Sequence, residues 1–186
     1  MLTLQQIIEE AYQLVPNAQT EGQEVIWLNA INQDFFNVVK IPKIYRFTTS
    51  SAGTYTLPTD VRQKNIDKVN VGVLKYRDLD NENVLPLQNA YNFDDGTKQL
   101  TLTPAPYTGG LTVTVRYYRI ATTTFTTSNL NAVPDAPEEY QWTYIPALAA
   151  YLAQTIDDDT KAANFENQVR SAWNVAAQNY VGTGAA

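Results

Sequence analysis

Two periods alternate along this chain. Apolar residues recur at steps of three and four near both ends and at steps of two in the middle. The first spacing collects side chains on one face of a helix; the second places them on one face of a strand. Leu4, Ile7, Ile8, Ala11 and Val15 predict a first helix over residues 4 to 15, ended by Pro16. Thr3 and Gln6 are spaced as a capping box, with Leu2 and Ile7 as a hydrophobic staple. A second box, Thr20 and Gln23, opens a longer helix with Trp27, Leu28, Ile31, Phe35 and Val38 on one face, stopped before Pro42.

At the other end, Val133 to Tyr180 reads as a helical hairpin. Its first helix carries Trp142, Ile145, Ala149, Leu152 and Ile156, and its second Ala162, Phe165, Val169, Ala172, Ala176 and Tyr180. Pro146 inside the first helix removes a bond to the carbonyl of Trp142 and predicts a bend. The aspartates 157 to 159 between the helices predict an N-terminal cap, and Glu166 and Arg170 are spaced for an i,i+4 pair. Such a hairpin needs a cover for its apolar stripe. The two N-terminal helices are the natural one.

From Tyr45 the period is two: Tyr55 and Leu57; Val69, Val71 and Val73; Leu100 and Leu102; Leu111, Val113, Val115 and Tyr117. Turns fall at 51–53, 78–83, 94–97 and 104–110, and Asp95-Gly96 is a hairpin signal because Gly tolerates positive φ. The pattern predicts an antiparallel sheet or barrel of five or six strands. Residues 121–132 are Thr-rich and aperiodic, an extended polar connector open to a neighbouring molecule. The expected fold class is α+β. A helical domain, 1–44 with 133–186, is interrupted by a β domain, 45–132, that includes the connector; residues 182–186 form a frayed tail.

The chain has 186 residues, no Cys and no His, which removes disulfides, thiolate metal sites and the commonest general base and zinc ligand. No apolar run or leader pattern predicts a membrane span or secretory signal. The net charge of −6 is unevenly spread. Residues 1–39 hold five acids and no base, 40–119 eleven bases and seven acids, and 120–186 two bases and seven acids, giving −5, +4 and −5. That distribution argues against a dedicated nucleic-acid binder.

Candidate chemistry is sparse. The aspartate run lacks the alternate ligands and central Gly of a calcium loop. Glu9, Glu10, Glu21, Glu24, Glu138 and Glu139 read as solvated helix surface, and no phosphate loop or dinucleotide fingerprint is present. Tyr117 and Tyr118 between Arg116 and Arg119 could stack bases, but they point to opposite faces of a strand, so a core aromatic is the better reading. No catalytic, cofactor or metal residue is expected. Amphipathic rings are enriched at interfaces. Tyr12, Tyr45, Tyr76, Tyr91, Tyr107 and Tyr144 are all compatible with such contacts, and the candidate partner interface is Tyr140, Trp142, Tyr144, Pro146, Tyr151 and Tyr180.

Four stretches carry a resemblance: Trp27 to Ile31 (WLNAI), Tyr55 to Asp60 (YTLPTD), LTLTPAPYTGGLTVTVRYYR at 100–119, and the VP…PEEY opening of the helix from Val133 to Tyr151. Together the chain resembles the head-tail adaptors, also called connector or neck proteins, of tailed bacteriophages. Pro146 and the developed β region depart from the mainly helical members. The resemblance implies a structural virion protein at the neck, assembled in the host cytoplasm. It would form a homo-oligomeric ring, typically a dodecamer, between the portal protein and tail or nozzle proteins, with DNA passing through its channel without sequence-specific binding. A phage-associated cell-wall hydrolase and a carbohydrate-binding β module are the alternative classes.

Overall fold

The computed structural model describes residues 1–85, 88–106 and 109–181. Tyr107, part of the turn at 104–110, and the tail at 182–186 lie outside the described residues. The chain forms two compact units, residues 1–40 with 121–186, and residues 41–120. The connector at 121–132 therefore belongs with the helices rather than with the β region.

In the first unit, α1 (Leu4–Leu14) and α2 (Glu21–Val38) precede α3 (Tyr144–Thr155) and α4 (Asp159–Tyr180). The reciprocal capping box at Thr3 and Gln6 is present. At α2 only half of its counterpart forms, the Thr20 hydroxyl accepting from the Gln23 N–H. α1, α2 and α4 all pack on α3, so the N-terminal helices do cover the C-terminal pair.

α3 is not the two-faced helix that its spacing suggests. Nine of its twelve residues are buried, because it is surrounded on three sides. Ala147, Ala149, Ala150 and Ala153 keep its surface small enough for those neighbours to approach. Trp142 and Ile156, the ends of the predicted stripe, are exposed. Residues Glu138–Thr143 form a 3₁₀ turn, so α3 begins only at Tyr144. Pro146 thus lies in the first helical turn, where an N–H has no required intrahelical partner, and the expected cause of a bend disappears.

Asp158 caps α4, its side chain accepting from the Lys161 N–H. Glu166 accepts instead from Gln154 Nε2 at 2.9 Å across the hairpin, rather than pairing along its own helix with Arg170. Phe35 lies at the centre of an aromatic group, 5.7 Å from Trp173 edge-on and 6.4 Å from Tyr144.

The second unit is a seven-stranded sheet, two or one more than the pattern suggests. Its strands are β1 (Pro42–Thr48), β2 (Thr54–Thr56), β3 (Ile66–Val71), β4 (Leu74–Asp78), β5 (Ala90–Asp94), β6 (Gln99–Thr103) and β7 (Thr112–Tyr118). The order is β1-β7-β3-β4-β5-β6-β2. Neighbours are antiparallel except β4 and β5, which run parallel, so the sheet is mixed.

Leu100, Leu102, Val113, Val115 and Tyr117 line the core side at every second position, as strand geometry requires. Phe47 of β1 and Tyr55 of β2 meet at 4.8 Å between ring centroids, which brings the two edge strands together and curls the sheet. Val73 does not continue the alternation of β3. The chain reverses at Gly72, φ +57°, and Val73 is fully exposed at the tip of a two-residue hairpin. A Gly at the first central position is the II′ signature.

In the β5–β6 hairpin the turn is held by Asp94, whose carboxylate accepts from Gly96 N–H at 2.7 Å and from the Thr97 hydroxyl at 2.9 Å. The left-handed residue there is Lys98, φ 58°, and not Gly96.

Candidate partner-binding groove

The polar residues of the WLNAI segment and of the connector hold the helical unit together. Asn29 of α2 donates to the carbonyl of Phe125 at 3.0 Å and accepts from its N–H at 2.8 Å. Phe125 is buried. Asp135 collects the N–H groups of Thr122 and Thr123, both at 2.9 Å, and the Nδ2 of Asn32 at 2.8 Å. Both threonine hydroxyls donate to its second oxygen. Burial raises the affinity of Asp135 for a proton, but these donors outweigh it and leave the carboxyl below its ordinary range. The start of the connector is thus fastened to α2 rather than free for a neighbour.

The six expected interface residues fall in different places. Tyr144 is fully buried and Pro146 is buried in α3, so neither presents a surface. Tyr140 is half-buried and its hydroxyl accepts from Asn179 at 2.8 Å. Trp142 is 43% exposed, and Tyr180 is half-buried at the end of α4. Tyr151, half-buried and stacked on Trp27 at 5.6 Å, is the one that opens onto a groove.

That groove, about 620 Å³ in volume, runs between α2, α3 and α4. Ile31, Ala147, Ala150 and Val169 give it an apolar floor, with Tyr151 and Trp173 as aromatic walls and Val38, 42% exposed, at its edge. The Trp173 indole is fixed by donation to the Thr143 hydroxyl at 2.9 Å. Asp34, Glu166 and Arg170 are the charged groups lining it. Burial pushes the Tyr151 phenol up, and nearby Asp34 and Glu166 push it further, so acids dominate the field at that ring. Such a lining suits an apolar protein segment with a cationic flank.

Val38 is the last residue of the stripe expected for the second helix, and Trp173, four residues after Val169 and three before Ala176, carries the same helical spacing. Asp34 carries no such signal. Glu24, expected on the solvated face, is buried, and desolvation raises its carboxyl despite a hydrogen bond from Asn17.

A smaller depression in the β unit, about 490 Å³, is lined by Arg62, Gln63, Lys64, Asp80, Asn81 and Asp95. Gln63 already engages both aspartates. Tyr117 is buried with its hydroxyl on Asp60, as expected of a core aromatic rather than a base-stacking one. Among the described residues, no group of three or more Asp and Glu side chains is placed to hold a metal ion, and no helix is long and apolar enough to cross a membrane.

A helical unit drawn from both ends of the chain and an inserted curled sheet are the architecture of this chain, and its class, a phage adaptor, rests on the family match. The family model described as SU10 adaptor protein matches residues 2–185, and the chain belongs to that family. No curated protein matches it.

Proposed function

We propose that this chain is a non-enzymatic virion protein forming a ring at the phage neck, between the portal protein above and tail or nozzle proteins below. The observation that carries this reading is family membership spanning residues 2–185. The dodecameric ring, the DNA channel and assembly in the host cytoplasm are part of the same proposal.

Charge supports the channel reading. The helical unit holds twelve acids and three bases, a net −9, and the β unit ten bases and seven acids, a net +3. A lumen lined by the acidic unit would repel phosphate and let DNA slide, leaving the basic unit for protein neighbours. Antibody to this chain, imaged on negatively stained virions, tests the placement. Label at the neck is the expected result; label on fibres, or on no virion structure, overturns it. Imaging of the assembled ring tests the channel, since a lumen lined by the β unit contradicts the acidic-lumen reading.

A further inference from the structure

Resting on the ring reading above, we propose that adjacent copies join through the tip of the β3–β4 hairpin, which seats in the α2–α3–α4 groove of the next copy. Val73 is 100% exposed and Leu74 52% exposed, so two consecutive aliphatic residues project into water at the tip. Neither belongs to the core cluster of its own unit, and apolar area held in water is the kind that association removes.

The stem below the tip is basic. Lys75, paired with Asn70, and Lys68 and Arg77 are all exposed. The one acid on the hairpin before the β4 terminus, Asp67, is 3.2 Å from Arg116 Nε.

The groove is the counterpart in shape and sign. It offers an apolar floor for Val73 and Leu74, aromatic walls at Tyr151 and Trp173, and Asp34 and Glu166 for the cations, with Arg170 the single opposing charge in its lining. It belongs to the unit of net −9, and the hairpin to the unit of net +3. Tip and groove are different surfaces, so the contact is heterologous, the type that closes into a ring under rotation. A standard interface buries about 800 Å² per partner. The tip is therefore the apolar anchor of a wider contact, and the lysines and acids form its rim.

The test uses the full-length chain with a benzophenone amino acid in place of Val73, irradiated over a concentration series, with mapping of the cross-linked peptides. Equilibrium association of V73D, K75E and the K75E/E166K double variant is measured beside it. Cross-links from position 73 to α2, α3 or α4 of a second copy are expected. V73D should weaken association by about tenfold or more, the scale set by burial of one aliphatic side chain. K75E should weaken it several-fold, with recovery in K75E/E166K. An unchanged melting temperature for V73D shows that the loss is not unfolding.

Oligomers that cross-link elsewhere, or that ignore V73D, overturn this contact and leave the ring reading standing. A chain monomeric at every concentration overturns the contact, while neck labelling judges the ring reading independently. Duplex DNA bound by the wild type and lost in K68E/K75E/R77E, without cross-links between copies, overturns it in favour of a phosphate contact.

Discussion

The Tyr144 phenol donates to Oδ1 of Asn32 at 2.7 Å, and both groups are buried. One side chain of α2 thereby satisfies a hydroxyl at the start of α3, while its other end donates to Asp135. An unpaired buried polar group is costly, so the two residues hold each other in place. Asn32→Ala should destabilise the helical unit by about 2–3 kcal/mol, since it strands Tyr144 and removes a donor from Asp135. Tyr144→Phe should cost only about 1 kcal/mol, because it removes one bond and leaves Asn32 its other partners. All three tryptophans, Trp27, Trp142 and Trp173, lie in this unit, so indole fluorescence during denaturant unfolding reports on it. Equal losses for the two variants would contradict this ordering.

Asp135 gives the helical unit a dependence on acid. Burial works against its ionised form, yet the donors from Thr123, Asn32 and Thr122 win and its folded pKa lies below the unfolded value of 3.8. Its stabilisation is therefore present above that value and lost as pH falls through the folded pKa. Asp135→Asn should be clearly less stable than wild type at pH 7, with the gap closing below pH 3.8. Indole-monitored denaturation at a series of pH values checks this, and a gap independent of pH would show that the charge is immaterial.

Glu24 works in the opposite sense. Desolvation raises its folded pKa above the ordinary value of 4.5, the Asn17 bond opposes this, and Glu21 adds to it. The folded state holds that proton more tightly, so its contribution is full below 4.5 and declines as pH rises through the folded value. Glu24→Gln keeps the shape without the charge. Its stability relative to wild type should increase from acid to neutral pH, the reverse of the trend at Asp135. A fall over that range would show that the carboxylate is favoured where it lies.

Two glycines of the β unit separate backbone strain from crowding. Gly53 has φ +69°, and a Cβ there would lie 2.8 Å from the Cβ of Ala105. Gly72 has φ +57° and nothing within 4 Å of such a Cβ. Gly72→Ala should cost about 1 kcal/mol for the left-handed backbone alone. Gly53→Ala should cost more, about 2–3 kcal/mol, as the clash is added to the strain. Amide exchange of β2 and β6 reads the Gly53 loss and that of β3 and β4 the Gly72 loss; the opposite ranking would sink the crowding argument.

Local rules made much of the architecture legible. Caps, prolines and the three-four spacing located the ends of α1 and α2, and Asp158 is a cap because a short acid suits the positive end of α4. The hairpin after Phe93 was legible for the same reason, since an Asx turn is made by neighbours in sequence. β4 was not, because Tyr76 is its only inward apolar residue and Val73 imitates a further step of β3.

What depended on distant parts of the chain had no local signature. Whether Tyr144 faces a partner or the core depends on α2, 112 residues away in sequence. The spacing of α3 suggested one buried stripe, but three helices pack around it and bury the rest. Pro146 looked like a kink until the 3₁₀ turn before it moved the helix start to Tyr144. The groove exists only where α2, α3 and α4 meet, so Asp34 and Trp173 acquire a shared role from packing. The sequence by itself determined the period of each segment, its caps and the division of charge, because these depend on neighbouring residues. Tertiary structure alone decided which faces were covered, because burial is a property of the residues that arrive from elsewhere.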